Sequence, residues 1–254
     1  MRSDGPHDKE KILDYWNEES VQSMYDKHLI DSEIGIIRKY MPINSKVLDA
    51  GCGEGEGTLN YSSIEGIKLH AVDFSDTRLQ KAAIRLSGCK NVEFKKVDFL
   101  DEYILDNDYD AIVSQRFLIN LMEWELQQKV ILDFMSMLKP GGRLIMLEGS
   151  MQGVKELNDL RLCFGLEPID IKWHNLFFDD CALIDFMNNH SYKLIANEGL
   201  GGYFLLTRGI RPYFDKTLNW DCEFNKLAAS CQLKGILNFG NTKFSRLKLW
   251  VFIK

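Results

Sequence analysis

The sequence predicts an α/β fold in which a mostly parallel sheet carries helices on both faces, and three observations point to it. An apolar run, Val47-Leu-Asp-Ala50, enters glycines at 51, 53, 55 and 57 and gives way to polar residues, which reads as a strand, a tight loop and a helix start. Strand-like and helix-like segments then alternate as far as residue 150, the pattern of parallel strands joined by crossover helices. The chain closes on an alternating apolar run, Leu247 to Ile253. At 254 residues with 45% hydrophobic content it can bury one large core. We expect a single domain, with a helical segment at 1–30, a core at 31–150 and further elements with closing strands at 151–254.

Residues 1–30 contain helix-forming stretches that set Tyr15, Trp16, Met24, Tyr25 and His28 on one face. That face serves either core packing or a lid whose rings meet a cationic ligand. Asp31 is expected to cap a helix running to Met41, with Ile34, Ile37 and Met41 at helical spacing and Pro42 ending it. A first strand, Lys46 to Asp49, leads through the glycine loop to a short helix from about Glu56 to Ser62. A second strand, Lys68 to Asp73, precedes a helix with Leu79, Ala82, Ala83 and Leu86 on its apolar face and Ser75 or Asp76 as its cap. The third strand, Val92 to Lys95, runs into Val97-Asp98-Phe99, and the fourth spans Tyr109 to Gln115. Leu126, Val130, Phe134 and Met137 mark a helix from Trp124 to Leu138, which Leu138-Lys-Pro-Gly-Gly142 stops before the fifth strand begins at Arg143 to Glu148. Later come a helix over Asp180 to Asn189, a sixth strand over Tyr192 to Glu198, and helical additions at Tyr203 to Tyr213 and Asn219 to Cys231.

Glycines in the loop remove the Cβ atoms that would keep backbone away from a ligand, so a nucleotide-like molecule fits there. The dinucleotide fingerprint G-x-G-x-x-G would need glycine at 56, where Glu56 stands, and Asp49 suits a cationic group better than a pyrophosphate. Both features disfavour a nicotinamide-dependent oxidoreductase. Open parallel sheets bind ligands beyond the carboxyl ends of their strands, which places Gln115, Arg116 and Asn120 near the reacting centre. A net charge of −6, from 31 basic and 37 acidic residues with no long basic run, lacks the electrostatic footprint of nucleic-acid binding. Met1 to Glu19 is polar and charged, and no apolar run approaches a membrane span, so we expect a soluble, cytoplasmic chain without membrane insertion. The six cysteines are scattered, without a C-x-x-C pair or a histidine at ligand spacing, which predicts reduced thiols and no metal site. Cys52 is either a small residue that fits the loop or a nucleophile.

The stretch Asp49-Ala-Gly51-Cys-Gly53-Glu-Gly55 resembles motif I of the class I S-adenosylmethionine-dependent methyltransferases, and Leu138-Lys-Pro-Gly-Gly142 before a strand resembles a second hallmark of that family. The two cover roughly residues 40–150. The resemblance implies a Rossmann-like, seven-stranded sheet whose final strand is reversed, with an N-terminal helical lid and helical insertions late in the chain. It implies S-adenosylmethionine as cofactor and S-adenosylhomocysteine as product. In that family Asp49, Gly51, Cys52, Gly53 and Gly55 would wrap the amino-acid end. Asp73, which falls 22 positions after Gly51 (51 to 73), would pair with the ribose hydroxyls beside Phe74 and Ser75. Loss of such a charge-assisted contact, worth about 1.5–3 kcal/mol, would weaken cofactor binding by one to two decades. Asp98 would reach the adenine amino group with Phe99 alongside, and Gln115, Tyr15 and Tyr25 would complete the cofactor contacts.

More narrowly, Gln115-Arg-Phe-Leu-Ile-Asn-Leu121, Leu157-Asn-Asp-Leu-Arg161 and Trp173-His-Asn175 resemble bacterial methyltransferases of surface-polysaccharide (capsule) pathways. This implies O-methylation of a small, phosphorylated carbohydrate or a phosphoramidate-type precursor by a monomer or homodimer. N-methylation of a small metabolite, or a non-catalytic cofactor-binding subunit, are the alternatives. His174 is the first candidate base, because an unperturbed imidazole titrates near neutrality, although a histidine in a loop also serves as a structural hydrogen bonder. Glu148 is the second, and Arg116 joins them as a catalytic candidate. Arg116 and Arg161 match an anionic acceptor in a bidentate fork or else act as ordinary ion-pair partners. Asn120, Trp173 and Asn175 complete the expected acceptor contacts.

Overall fold

The computed structural model describes residues 9–18, 20, 21, 25–217, 219–237 and 242–254. The parts of the expected lid at 1–8, 19 and 22–24, Met24 among them, lie outside the described residues. In chain order the elements are α1 Lys9–Asn17, α2 Lys27–Arg38, β1 Lys46–Ala50, α3 Glu56–Tyr61, β2 Lys68–Asp73, α4 Asp76–Arg85, β3 Val92–Lys96 and β4 Tyr109–Gln115. A 3-10 turn at Leu118–Asn120 follows, then α5 Trp124–Met137, β5 Leu138–Gly149, α6 Met151–Cys163, α7 Asp180–Asn189 and β6 Lys193–Gly199. The chain ends with α8 Gly201–Phe204, a π-helical segment Leu205–Ile210, α9 Arg211–Phe214, α10 Glu223–Leu233 and β7 Leu247–Ile253.

The seven strands form one sheet in the order β3-β2-β1-β4-β5-β7-β6, parallel except for β7, which runs antiparallel to both neighbours. Because both faces of the central strands are covered, apolar residues run continuously along them rather than alternating with polar ones. Alternate residues feed two cores: Leu48, Ile112, Leu144 and Met146 pack in one layer, and Val47, Ala111, Val113, Ile145 and Leu147 in the other. Each fully buried aliphatic side chain of this kind contributes about 1.5–3 kcal/mol.

Several boundaries differ from expectation for local reasons. Asp26, not Asp31, caps α2, its side chain accepting from the Leu29 N–H at 3.2 Å, so the helix begins five residues earlier. β5 starts at Leu138, because that residue already pairs with Tyr109 before an irregularity lets the Pro-Gly-Gly turn pass; Gly141 there has φ +80°. The span after β5 forms α6, where the sequence showed no apolar stripe, and only Gly153, Val154 and Leu157 of it are buried. No described helix is long and apolar enough to cross a membrane.

Candidate functional site

The glycine loop between β1 and α3 is tied back to the sheet, with the Gly51 and Cys52 N–H groups donating to the Val72 carbonyl at 2.8 and 2.9 Å. Gly51 has φ +70°, and a Cβ there would stand 2.6 Å from the Phe117 ring. Gly53, at φ +54°, has open space where a Cβ would go. Gly55 also lies in the left-handed region, but its Cβ position abuts Ala82 of α4 and Leu86, which caps that helix. Gly55 therefore sets the packing of the loop rather than touching a ligand.

Beyond the carboxyl ends of β1, β2 and β4 the loop opens into a cleft with an empty volume of about 1230 Å³, part of it continuous with solvent. Asp49, Gly51, Cys52, Gly53, Asp73, Phe74, Asp98, Phe99, Gln115, Arg116 and Asn120, all nominated from sequence, line it. Asp49 is buried and accepts from the Thr58 hydroxyl at 2.6 Å; burial, with Asp73 adding to it, pushes its carboxyl up to about 6. Asp73 accepts from the Gly53 and Ser75 N–H groups, both at 2.9 Å, and burial raises its pKa against the pull of those bonds and of Arg78. Ser75 itself caps α4 and donates to Asn17 Oδ1 at 2.6 Å, so its role is to join α1 to the loop. Burial likewise raises the Cys52 thiol well above its ordinary value, with Asp49 and Asp73 reinforcing the shift, so it stays protonated and is no nucleophile.

Gln115 reaches the cleft but is held on both sides, accepting from the Tyr61 hydroxyl at 2.9 Å and donating to Glu33 at 2.7 Å. Arg116 has φ +54°, a conformation that a non-glycine residue adopts at a cost of about 1–3 kcal/mol and that clusters at functional sites. Its Nε stands 3.1 Å from the buried Glu33 carboxylate. Asn120 donates to the Arg116 carbonyl at 2.9 Å, leaving its Oδ1 buried without a partner among the described residues.

The expected acceptor residues divide. Glu148 does not reach the cleft: it is completely buried and accepts from the Ser114 hydroxyl at 2.5 Å and from the Phe117, Leu118 and Ile119 N–H groups. Burial pushes its carboxyl up to about 7, those bonds opposing the shift. Its work is to clamp the turn after β4. Arg161 points to backbone carbonyls, donating to Glu167 at 2.8 Å and to Arg208, and is absent from the cleft wall. Tyr25 is 65% exposed and Trp173 44% exposed, and neither lines the cleft; nor does Asn175.

His174 is buried in an aromatic nest, 4.4 Å from the Tyr15 ring and 5.3 Å from those of Trp16 and Trp173. Burial, then Lys172, pushes its pKa down to about 4, so the imidazole is neutral at pH 7, and its Nδ1 finds no partner among the described residues. Of this nest Trp16 lines the cleft, while Tyr15 and His174 support it from behind its rings.

Sequence reasoning missed three contributors. Arg78 holds the end of α1 against the site, donating to the Trp16 carbonyl at 3.0 Å and the Val21 carbonyl at 3.1 Å with its guanidinium 4.7 Å over the Trp16 ring. A lone arginine in the first turn of a helix carries no local signal for that. Phe117 closes over Gly51. Glu33 had a signal, since it interrupts the apolar stripe of Ile30, Ile34 and Ile37 on α2 with a charge that burial keeps only when paired.

Among known proteins, the family described as "Methyltransferase domain" matches residues 43–186. The chain is 30% identical over 105 residues to the phosphoethanolamine N-methyltransferase of Plasmodium falciparum, covering 41% of this chain and 39% of that protein. It is also 30% identical over 118 residues to the demethylmenaquinone methyltransferase of Clavibacter sepedonicus, covering 46% of each. The chain thus spans less than half the length of these two relatives. The geranyl diphosphate C-methyltransferase of Streptomyces coelicolor A3(2) shares the fold, with a TM-score of 0.60 at 14% identity over 98% of both chains.

Proposed function

We propose, from the premise that this chain belongs to the methyltransferase domain family, that it moves a methyl group from S-adenosylmethionine to a small acceptor bearing a phosphate-type anion. The observation that carries the reading is the pair of buried carboxylates, Asp49 and Asp73, on the cleft wall beside a loop with positive φ at Gly51 and Gly53. S-adenosylmethionine is the cofactor and the residues present fit it. A cationic, hydroxyl-bearing ligand offsets the burial that pushes both carboxyls up. Asp49 would face the ammonium end, and Asp73, whose oxygens keep lone pairs beyond those used by Gly53 and Ser75, the ribose hydroxyls. Asp98 and Phe99 would meet the base. When bound, the cofactor supplies an electrophilic methyl on a positively charged sulfur.

The chain's own contribution is then placement. Trp16, Arg116, Phe117 and Asn120 face one cleft, and holding two reactants in line there lowers the barrier by as much as about 7–11 kcal/mol in favourable cases. The phosphoethanolamine and demethylmenaquinone methyltransferases among the relatives support a small-molecule acceptor. Arg116 on the wall supports an anionic one. An amine is favoured as the methylated atom, because once deprotonated by solvent it needs no protein base, and Glu148 is sealed from the cleft while His174 packs on Trp16 without lining it. The second reading, O-methylation of a phosphorylated carbohydrate or phosphoramidate-type capsule precursor, is favoured by the neutral His174 with its unpartnered Nδ1.

The test is to incubate the protein with S-adenosylmethionine and a panel of phosphorylated amines, phosphorylated sugars and phosphoramidates, reading S-adenosylhomocysteine release. Release with a phosphorylated amine is expected. Release only with hydroxyl acceptors moves the assignment to the second reading, cofactor binding without turnover on any compound makes the chain a binding subunit, and binding of NAD in its place would end the methyltransferase reading.

A further inference from the structure

Asp26, Ile30 and Glu33 are spaced four and three residues apart and so stack along one face of α2. Ile30 lines the cleft. Asp26 pairs with Arg208 and accepts from the Tyr203 hydroxyl at 2.8 and 2.9 Å, while Glu33 pairs with Arg116. At 1.5 Å per residue the two backbone positions lie about 10 Å apart along the helix, and their carboxylates pair with two guanidiniums.

A third guanidinium comes from the far end of the chain. Arg246 immediately precedes β7, which β5 separates from β4 in the sheet. The Arg116 N–H donates to the Leu147 carbonyl at 2.8 Å and the Arg246 carbonyl accepts from Ser150 N–H at 3.0 Å, so both arginines leave the same edge of the sheet, one on each side of β5. The Arg246 guanidinium stands 5.4 Å over the Phe177 ring, and no carboxylate among the described residues pairs with it. Burial, then the charges of Arg208 and Arg116, push it down to about 10. Arg208 is stacked 3.9 Å over Trp220, and its Nη1 is buried without a hydrogen-bond partner among the described residues. Arg208 and Arg246 together bring more positive charge than Asp26 balances, where partial burial makes it unfavourable, and an anion held between them beside the Arg116–Glu33 pair offsets it.

We infer that Arg116, Arg208 and Arg246 form a seat for a phosphate-type dianion next to the cleft, reached past Arg116, the member of the three that lines the cleft wall, with α2 as the ruler that spaces two of them. That this dianion belongs to the methyl acceptor rests on the function proposed above; the seat itself does not. The full chain, with and without saturating S-adenosylhomocysteine, is titrated with inorganic phosphate against chloride at matched ionic strength, reading heat and melting temperature. Wild type is expected to bind phosphate in both states, Arg246→Gln to weaken it at least about tenfold with S-adenosylhomocysteine affinity kept within about twofold, and Arg246→Lys to recover part of the loss. Equal phosphate affinity in wild type and Arg246→Gln, or no phosphate binding by wild type, overturns the seat. In wild type, phosphate should also compete with the acceptor, raising KM without lowering kcat; a purely non-competitive effect would keep the seat and overturn its assignment to the acceptor. Phosphate binding by a chain that ignores S-adenosylhomocysteine would instead keep the seat and refute the methyl-donor reading.

Discussion

Asp49→Asn separates what the cleft needs for binding from what it needs for folding. In the ligand-free protein burial holds the Asp49 carboxyl at about 6 against an ordinary 3.8, and Thr58 donates to it at 2.6 Å. A carboxyl raised in the folded state favours folding fully below the unfolded pKa, and that stability is lost as pH rises from 3.8 through 6. Above that window the ionised group destabilises the empty protein by about 3 kcal/mol, from the span between 3.8 and about 6 at about 1.36 kcal/mol per pH unit. Asn, which keeps an acceptor for Thr58 but carries no charge, should therefore raise the melting temperature of the empty protein at pH 7.5 and leave it little changed at pH 4. Binding runs the other way. An ammonium ligand requires the ionised carboxyl, so from pH 7 to pH 5 the ionised fraction falls about tenfold and S-adenosylhomocysteine affinity with it, a loss of about 1.4 kcal/mol. Calorimetric titration from pH 5 to 8 reads this directly, with Asp49→Asn expected to bind weakly and without pH dependence in that range. A flat wild-type profile, or an Asn variant with wild-type affinity at pH 7.5, would refute Asp49 as the group facing the cation.

Three other outcomes are expected. Gly51→Ala, at φ +70° with its Cβ 2.6 Å from Phe117, should reduce cofactor affinity by at least about tenfold; unchanged affinity would mean that the loop yields without effect on the ligand. Glu148→Gln can keep its oxygen on the Ser114, Phe117 and Leu118 donors but then sets its amide N–H₂ against the Ile119 N–H, and should lower stability by about 1–3 kcal/mol in denaturant titration, yet leave kcat per folded molecule near that of wild type; a stable but inactive variant would restore it as a base. His174, held near a pKa of 4, should add no inflection near 6.5 to the pH–rate profile, so an inflection there that disappears in His174→Asn would show that the imidazole meets solvent during turnover.

Much of the fold is legible because parallel, doubly covered strands announce themselves as short apolar runs. Lys68–Asp73, Tyr109–Gln115 and Leu247–Ile253 emerge with the bounds that periodicity suggests, as does α7 at Asp180–Asn189. α6 escaped because it buries too few residues to print a stripe, and the start of α2 because Asp26 and Asp31 are equivalent caps until one is seen to meet the Leu29 N–H. In the site, residues at strand ends were readable: a position just past a buried parallel strand can only emerge at the carboxyl edge of the sheet. Glu148 stands at that same edge, yet the turn at 117–119 folds over it, and nothing local marks a carboxylate that three backbone N–H groups will enclose.

The sequence by itself determined the order of strands and helices and the glycine loop with Asp49 and Asp73 beside it, since these rest on short-range periodicity and on backbone conformations that glycine alone adopts freely. Tertiary structure decided which polar groups face the cleft. Asp26 and Arg208 meet across 182 positions and Glu33 and Gln115 across 82, and whether a buried charge is paired, sealed or left for a ligand depends on partners that no local pattern specifies.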